Sequence, residues 1–401
     1  MKNVVLLTID TLRRDVLGCY GNKLGLTPFL DSIQDRCIRF AGSQSCGPYT
    51  QASFPAILTS SYYLDYPRSK KLAPERTLIS EVVRNKGVYP AGFHSNAYLC
   101  SFFGWNRGWK TFYDSMEAEV DDKVPYIKAN TLNARVGRWL ESRKGVEEPF
   151  FLWLHYMDVH EPYVPERRFI EKVDHSITLS DDEMFALFKD VLLKRDVSDP
   201  GKVELLRKLY LAHVVEVDEA ARDFFGLLEK GGFLDDTVVI ITSDHGDEFG
   251  EHGGLSHDGK MFRELIDVPL LIYDPVLTGG EVSEAVVSTL DVSPTIAHLF
   301  GVEHVDGFQG RSLLPLAELE SRSVFGEAYY KHGTHEEKED PKEVHYLREG
   351  SLKVTYCEQD DSWQMYDLAD DPEERRNIFG SHPQAEVFKE RIKPRLRRAS
   401  E

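Results

Sequence analysis

Cysteine is scarce in this chain, and the five that occur (Cys19, Cys37, Cys46, Cys100 and Cys357) are scattered, with no Cys-x-x-Cys pair. That pattern argues against a disulfide framework and against a structural zinc site. Long apolar runs are missing too. The opening stretch Val4–Ile9 is ended by Asp10 after six residues, too short for the apolar region of a signal peptide or for a membrane span. No later segment reaches the ~18 consecutive apolar residues that a spanning helix needs, so a cytoplasmic protein is expected. Positive charge is in deficit: 48 Lys and Arg against 67 Asp and Glu leave a formal charge of −19. Such a balance repels nucleic acid and anionic membranes, which bind chiefly through basic residues neutralising phosphates. Repeats and low-complexity tracts are absent.

What is present is an ordinary globular composition, 401 residues with 41% apolar and 29% charged side chains, enough for one large α/β domain and a smaller companion. Short β-branched runs predict strands at Val4–Ile9, Tyr89–His94, Phe150–Met157, Val238–Ser243 and Pro269–Tyr273. Helices are expected between them at Pro28–Arg36, Thr77–Lys86, Ala129–Ser142, Val203–Lys230 and Ser293–Leu299. This alternation predicts a doubly wound, mostly parallel sheet covered on both faces. From about Ser323 the texture changes to short strands at Val324–Ala328, Val344–Arg348, Leu352–Tyr356 and Trp363–Asp367, closed by a helix at Ala385–Leu396. A catalytic domain over 1–322 and a small α+β subdomain over 323–401 are therefore expected. The charged segments Glu166–Pro200 and His332–Glu343 read as surface excursions.

Ligands of open α/β sheets gather beyond the carboxyl ends of the strands. Three such ends carry polar residues: Asp10-Thr11, His155 to His160, and Ser243-Asp244-His245-Gly246. Asp10 alone reads equally well as a cap or turn residue. Asp244 and His245, adjacent and followed by glycine, can both turn onto one cation, and Asp10 can add a second carboxylate. His252 and His257 follow in a glycine-rich loop; a solvated loop is the plain reading of both, and proximity to Asp244 favours a substrate role for His257 while leaving His252 open.

These residues resemble the sulfatase family of the alkaline-phosphatase superfamily, along nearly the whole chain. The resemblance rests on Asn3 to Arg13 with Leu17-Gly18-Cys19-Tyr20-Gly21, on Phe151 to Tyr163, and on Thr242 to Gly253. Leu290 to Thr295 with Gly310 to Leu313, and Tyr366 to Asn377, complete five motifs in family order. It implies a metal-dependent ester hydrolase. The nucleophile segment departs from the pattern. Sulfatases carry Cys-x-Pro-x-Arg, whose cysteine becomes formylglycine; Cys46-Gly47-Pro48 imitates its start, but Thr50 stands where the arginine belongs. Aligned from the downstream helix, Ser53, Ala56-Ile57-Leu58 and Thr59 fit the family when Thr50 takes the nucleophile position. A helix cap is the plain alternative for Thr50.

Thr11 stands for a second metal-binding Asp, His245 for a frequent Asn, and Ser95-Asn96-Ala97 for a Lys-x-His element, departures that resemble the phosphate-ester side of the superfamily. The resemblance thus implies one divalent metal held by Asp10, Asp244, His245 and Thr50. Mixed oxygen and nitrogen donors favour Mn²⁺ or Zn²⁺ over Ca²⁺, and a second metal is left open without being called for. Thr50, His160 and His257 are the expected catalytic residues, and Asn96, His252 and Asp158 the expected substrate contacts; Asp158 orients His160 or joins a second metal. The substrate is expected to be a small anionic ester of phosphate or sulfate. Two other readings stand beside this one: a true sulfatase, with either a converted Cys46 or Thr50 acting directly on sulfate esters, and a non-catalytic metal- and anion-binding relative. Loops such as Phe102–Trp109 and 166–200 are expected to shape the leaving-group pocket, with Trp105, Trp109 and Phe112 lining it or lying in the core.

Overall fold

The computed structural model describes residues 2–66, 71–114, 120, 123–329 and 342–396. Its strands are β1 (Asn3–Ile9), β2 (Cys37–Gln44), β3 (Tyr89–Phe93), β4 (Thr111–Tyr113), β5 (Phe150–Tyr156), β6 (Thr237–Ser243), β7 (Glu248–Phe249), β8 (Leu255–Ser256), β9 (Leu270–Tyr273), β10 (Glu281–Ser288), β11 (Val324–Tyr329), β12 (Glu343–Glu349), β13 (Leu352–Cys357) and β14 (Ser362–Asp367). Eight of them form one sheet in the order β10-β2-β9-β6-β1-β5-β3-β4, parallel throughout except for β9, which runs antiparallel to both neighbours. The expected doubly wound α/β fold is therefore present.

The period-2 geometry of β1 explains why its apolar run lacks alternation. Val5, Leu7 and Ile9 enter the core on one face, while Val4 and Leu6 enter a second core on the other, so both faces of the strand are covered. The first core is roofed by helices Ala129–Arg143 and Pro200–Gly231, the second by Thr50–Thr59, Ile79–Asn85 and Val292–Leu299. The 32-residue Pro200–Gly231 helix has clear sequence limits. The Asp199 carboxylate accepts from the N–H groups of Gly201 and Lys202, Pro200 opens the first turn, and Gly232 ends it in the left-handed region at φ 76°.

The expected strands and helices are found with ends shifted by a few residues, with three differences. Pro28–Arg36 is not one helix: it ends at Ser32 and a 3₁₀ turn at Gln34–Arg36 redirects the chain into β2. The segment 166–200 is not a surface excursion, because helices Arg167–Val173 and Asp181–Leu187 bury Phe169, Ile170 and Met184 in the first core. Their apolar residues recur at helical spacing within a charged background, which hid the period. Strands β2, β4, β7, β8 and β10 lie outside the expected set: Gly42 and the exposed Glu281, Val282 and Glu284 blur the pattern of β2 and β10, and the other three are too short to show a period. Most of the His332–Glu343 segment lies outside the described residues.

β11 to β14 form the expected antiparallel sheet, with the helix Ala385–Leu396 packed on it. This sheet is seated on the loop before the Thr50 helix: the Glu327 amide donates to the Cys46 carbonyl at 2.9 Å and the Tyr346 hydroxyl to the Ser45 carbonyl at 2.7 Å. No helix among the described residues is long and apolar enough to cross a membrane.

Candidate active site

Parallel pairing brings three polar strand ends together. Ile9 lies beside both Tyr156 and Ser243 in register, so Asp10, Met157 and Asp244 leave the sheet at one level. Asp10 is held there by its amide, 2.9 Å from the Tyr156 carbonyl. Thr11 adopts φ 56°, which turns the chain back so that its amide reaches Asp244 Oδ1 at 3.3 Å. Ser45 braces the same corner through its hydroxyl, which donates to the Asp244 carbonyl.

Asp10, Asp244 and His245 are fully buried and offer three ligand atoms within 4.8 Å of one another. His245 Nδ1 lies 3.0 Å from the Gly246 carbonyl, which can only accept, so Nδ1 carries the ring proton and Nε2 presents a lone pair. That lone pair faces Asp244 Oδ2 at 3.3 Å and Asp10 Oδ1 at 3.7 Å, and neither oxygen has a hydrogen-bond partner. Burial, with His257 nearby, holds His245 down at about 4, so the ring is neutral at pH 7. Burial and the neighbouring Asp10 push Asp244 well above the carboxylate range; burial acts the same way on Asp10, but His155, His160 and His245 more than offset it and hold Asp10 low. Two carboxyl groups and an imidazole lone pair converging in a dry space are the donor set of a divalent cation, whose charge would keep Asp244 ionised. The residues present fit the metal implied by the sequence.

Thr50 is the first residue of the helix Thr50–Thr59, whose Tyr49 N-cap makes no side-chain capping bond. Early N–H groups of such a helix lack intrahelical partners and favour negative charge. The Thr50 hydroxyl lies 3.5 Å from His245 Nε2 and 3.5 Å from the Asn96 amide, which also donates to Asp10 Oδ2 at 3.0 Å. The close turn ahead of the helix depends on Gly47, where a Cβ would come within 2.5 Å of the Ala52 methyl.

Two further histidines border this cluster. The ring of His257 is centred 4.6 Å from that of His245 and 5.0 Å from that of His160. His257 Nδ1 lies 2.7 Å from Asp247 Oδ1, while Asp247 Oδ2 accepts from the Tyr163 hydroxyl at 2.5 Å. Burial pulls His257 down to about 4, so it is neutral, donates Nδ1–H to Asp247 and keeps Nε2 unprotonated. His160 is shifted the other way: burial opposes its charge, but Asp10, Glu161 and Asp247 prevail and raise it. Its Nδ1 donates to the Glu161 carbonyl at 2.6 Å.

Of the residues singled out in the sequence, Asp10, Thr50, Asn96, Asp244, His245, His160 and His257 come together here. His252 and Asp158 do not. His252 stacks on Phe262 at 3.8 Å, bonds Glu264 through Nδ1 at 2.5 Å, and faces the Glu373 and Glu374 carbonyls with Nε2. The Asp158 carboxylate accepts from the Ala129 amide at 2.8 Å, at the start of the Ala129–Arg143 helix. Cys46 is buried beneath the Thr50 loop, and burial raises its thiol to about 11. Sequence reasoning missed two neighbours. Asp247 orients His257, and its signal was a third acidic position close behind Asp244. His155 reaches Asp10 Oδ2 at 3.3 Å with Nε2, and its signal was a histidine inside an otherwise apolar strand.

Comparison with known proteins bears on this arrangement. The profile of the sulfatase family matches residues 2–302, and that of the N-sulphoglucosamine sulphohydrolase C-terminal region matches residues 250–401. The chain belongs to the sulfatase family. An arylsulfatase of Clostridium perfringens is 25% identical to this sulfatase over 456 residues, covering 97% of this chain and 92% of the relative. The structure of BT4656 with its substrate D-glucosamine-2-N,6-O-disulfate shares the fold at a TM-score of 0.80 and 20% identity, covering 100% of this chain and 98% of that one. A phosphonate monoester hydrolase of Agrobacterium radiobacter shares it at 0.76 and 19%, with 100% and 96% covered. This sulfatase is accordingly an ester hydrolase of that family.

Proposed function

We propose that this sulfatase is a metal-dependent hydrolase of phosphate mono- or diesters or of sulfate esters that works through Thr50 and a covalent intermediate. The surroundings of the Thr50 hydroxyl carry the reading: it opens a helix, lies 3.5 Å from the His245 lone pair, and borders two unpartnered carboxylate oxygens. The burial of Cys46, with its thiol raised to about 11, weighs against a modified cysteine as nucleophile. Asp10, Asp244, His245 and the Thr50 oxygen would hold one divalent cation, Mn²⁺ or Zn²⁺ by donor type. Bound there, it would supply a Lewis acid that acidifies the hydroxyl and offsets charge at the reacting centre.

The chain's own residues divide the proton work. Thr50 Oγ1 attacks phosphorus or sulfur in line while its proton passes to the bare Nε2 of His257; His160, as imidazolium, protonates the departing oxygen. Water then attacks the Thr50 ester, giving a proton to the now neutral His160, and His257 returns its proton to Thr50. Asn96 fixes Asp10 and the hydroxyl in position. Residues 1–322 form the catalytic unit on this reading, and residues 323–401 the subdomain that braces the Thr50 loop.

The arylsulfatase relative speaks for sulfate, and the phosphonate hydrolase fold for phosphorus. The test is turnover of 4-nitrophenyl sulfate, 4-nitrophenyl phosphate, 4-nitrophenyl phenylphosphonate and bis(4-nitrophenyl) phosphate by metal-loaded protein, with Thr50→Ala and Cys46→Ser beside it. Loss of turnover in the first variant and retention in the second is expected; the reverse pattern overturns the threonine mechanism.

A further inference from the structure

Glu161 and Ser256, 95 residues apart in the chain, meet through a hydrogen bond in which the Ser256 hydroxyl donates to Glu161 Oε2 at 2.6 Å. Each is the chain neighbour of a histidine of the site. Glu161 follows His160 and Ser256 precedes His257, and the two rings are centred 5.0 Å apart. The bond therefore ties the loop beyond β5 to the end of β8 at the place where the two histidines meet.

The proton inventory shows what this bond does. A carboxylate oxygen only accepts, so the single hydroxyl proton of Ser256 is committed to Glu161. The lone pairs left on Ser256 Oγ lie 3.2 Å from His257 Nδ1, where they share with Asp247 the proton that this nitrogen carries. The same residue holds the other histidine through its main chain, since His160 Nδ1 donates to the Glu161 carbonyl at 2.6 Å. Both Nδ1 atoms are thus tied to Glu161, one directly and one through a hydroxyl, and both rings keep Nε2 for chemistry. Ser256 is buried at φ 61°, a left-handed conformation that a non-glycine residue seldom takes. Such strain persists where the surrounding contacts fix it, and it gathers at functional sites.

We infer that Glu161 is a positioning residue for both proton-carrying histidines, holding His160 through its carbonyl and His257 through the Ser256 hydroxyl. The inference rests on the ester-hydrolase reading above for the roles of the two rings, but not for their placement.

The test compares Glu161→Ala, Glu161→Gln, Ser256→Ala and the double alanine variant with the parent, all as full-length, Zn²⁺-loaded protein. On the best 4-nitrophenyl ester each single alanine variant is expected to lose roughly 10- to 100-fold in kcat, the scale of one hydrogen bond to a charged group, with KM nearly unchanged. The double variant should lose no more than either single one, because the pair acts as a unit. Glu161→Gln keeps an acceptor oxygen for Ser256 and should recover most of the turnover. A second readout needs no turnover: the nuclear Overhauser cross-peak between the ring protons of His160 and His257 in histidine-labelled protein. It is expected in the parent and in Glu161→Gln, and should vanish in both single alanine variants. Additive losses in kcat, or a cross-peak unchanged in both alanine variants, overturn the inference. If the parent hydrolyses no ester while the cross-peak follows this pattern, the hydrolase reading falls alone and the placement of the rings by Glu161 stands.

Discussion

His257, half-buried, and the buried Asp247 form a pair, Nδ1 to Oδ1 at 2.7 Å, in which the carboxylate decides which nitrogen of the ring stays bare. Asp247 is itself pinned by the Tyr163 hydroxyl, so the ring has one orientation. Replacing Asp247 with Asn removes the ionised acceptor and lets the other tautomer form. Turnover by Asp247→Asn is expected to fall about 10- to 100-fold, with KM nearly unchanged, as read by steady-state kinetics on the best 4-nitrophenyl ester. A change confined to KM would contradict the proton-accepting role of His257.

Chelation should have two effects. A cation held by Asp10, Asp244 and His245 would bind only the folded chain, so stripping metal with EDTA is expected to abolish turnover and lower the Tm. Mn²⁺ or Zn²⁺ should restore both. In Asp244→Asn the melting temperature should no longer respond to EDTA, which differential scanning fluorimetry would register.

His94 supplies a pH test of stability that is separate from catalysis. It is fully buried, stacked at 5.3 Å on Trp153, and burial, with His155 nearby, lowers it to about 3. The unfolded chain takes up the proton near pH 6.5 and the folded chain resists it until about pH 3, so this contribution is complete above pH 6.5 and is lost as pH falls through that window. At pH 5 the loss is about 2 kcal/mol, from ~1.4 kcal/mol per pH unit. Urea melts should therefore show His94→Phe gaining stability relative to the parent at pH 5 and matching it within about 1 kcal/mol at pH 8. An equal difference at both pH values would refute the assignment.

Gly47→Ala tests the packing under the nucleophile. The added methyl meets the Ala52 Cβ at 2.5 Å and its carbonyl carbon at 2.6 Å, so the Thr50 helix must shift. A loss of about 1–3 kcal/mol in stability and a large drop in kcat are expected from denaturant melts and kinetics. A crystal structure showing Thr50 unmoved in an inactive variant would point to another cause.

Much of this site could be read from the chain before its fold was seen. Asp10, Asp244 and His245 stood at strand ends, where a parallel sheet gathers ligands, and the register of β1 with β5 and β6 brings the first two strand ends to one level. Asp247 and His155 escaped notice because their roles depend on partners 10 and 145 residues away, which no local period encodes. His252 misled for the opposite reason: a histidine in a glycine-rich loop looks available, and only the folded chain shows its ring taken by Glu264 and Phe262. In the 166–200 segment, charge at the exposed positions concealed the few apolar residues that decide its packing.

The hydrogen bond from Tyr346 to Ser45 joins positions 301 residues apart. During synthesis at ~5–20 residues per second, the loop ahead of Thr50 would wait roughly 15–60 s for that bond to become available. The last strand of the central sheet, β10, is complete at Ser288, roughly 3–12 s of synthesis before Tyr346 is made, so a nascent chain can hold that sheet before the nucleophile is fixed in place. Hydrolytic competence would be the last property the growing polypeptide acquires, and damage confined to the late-made sheet would silence the enzyme from a distance while sparing most of its fold.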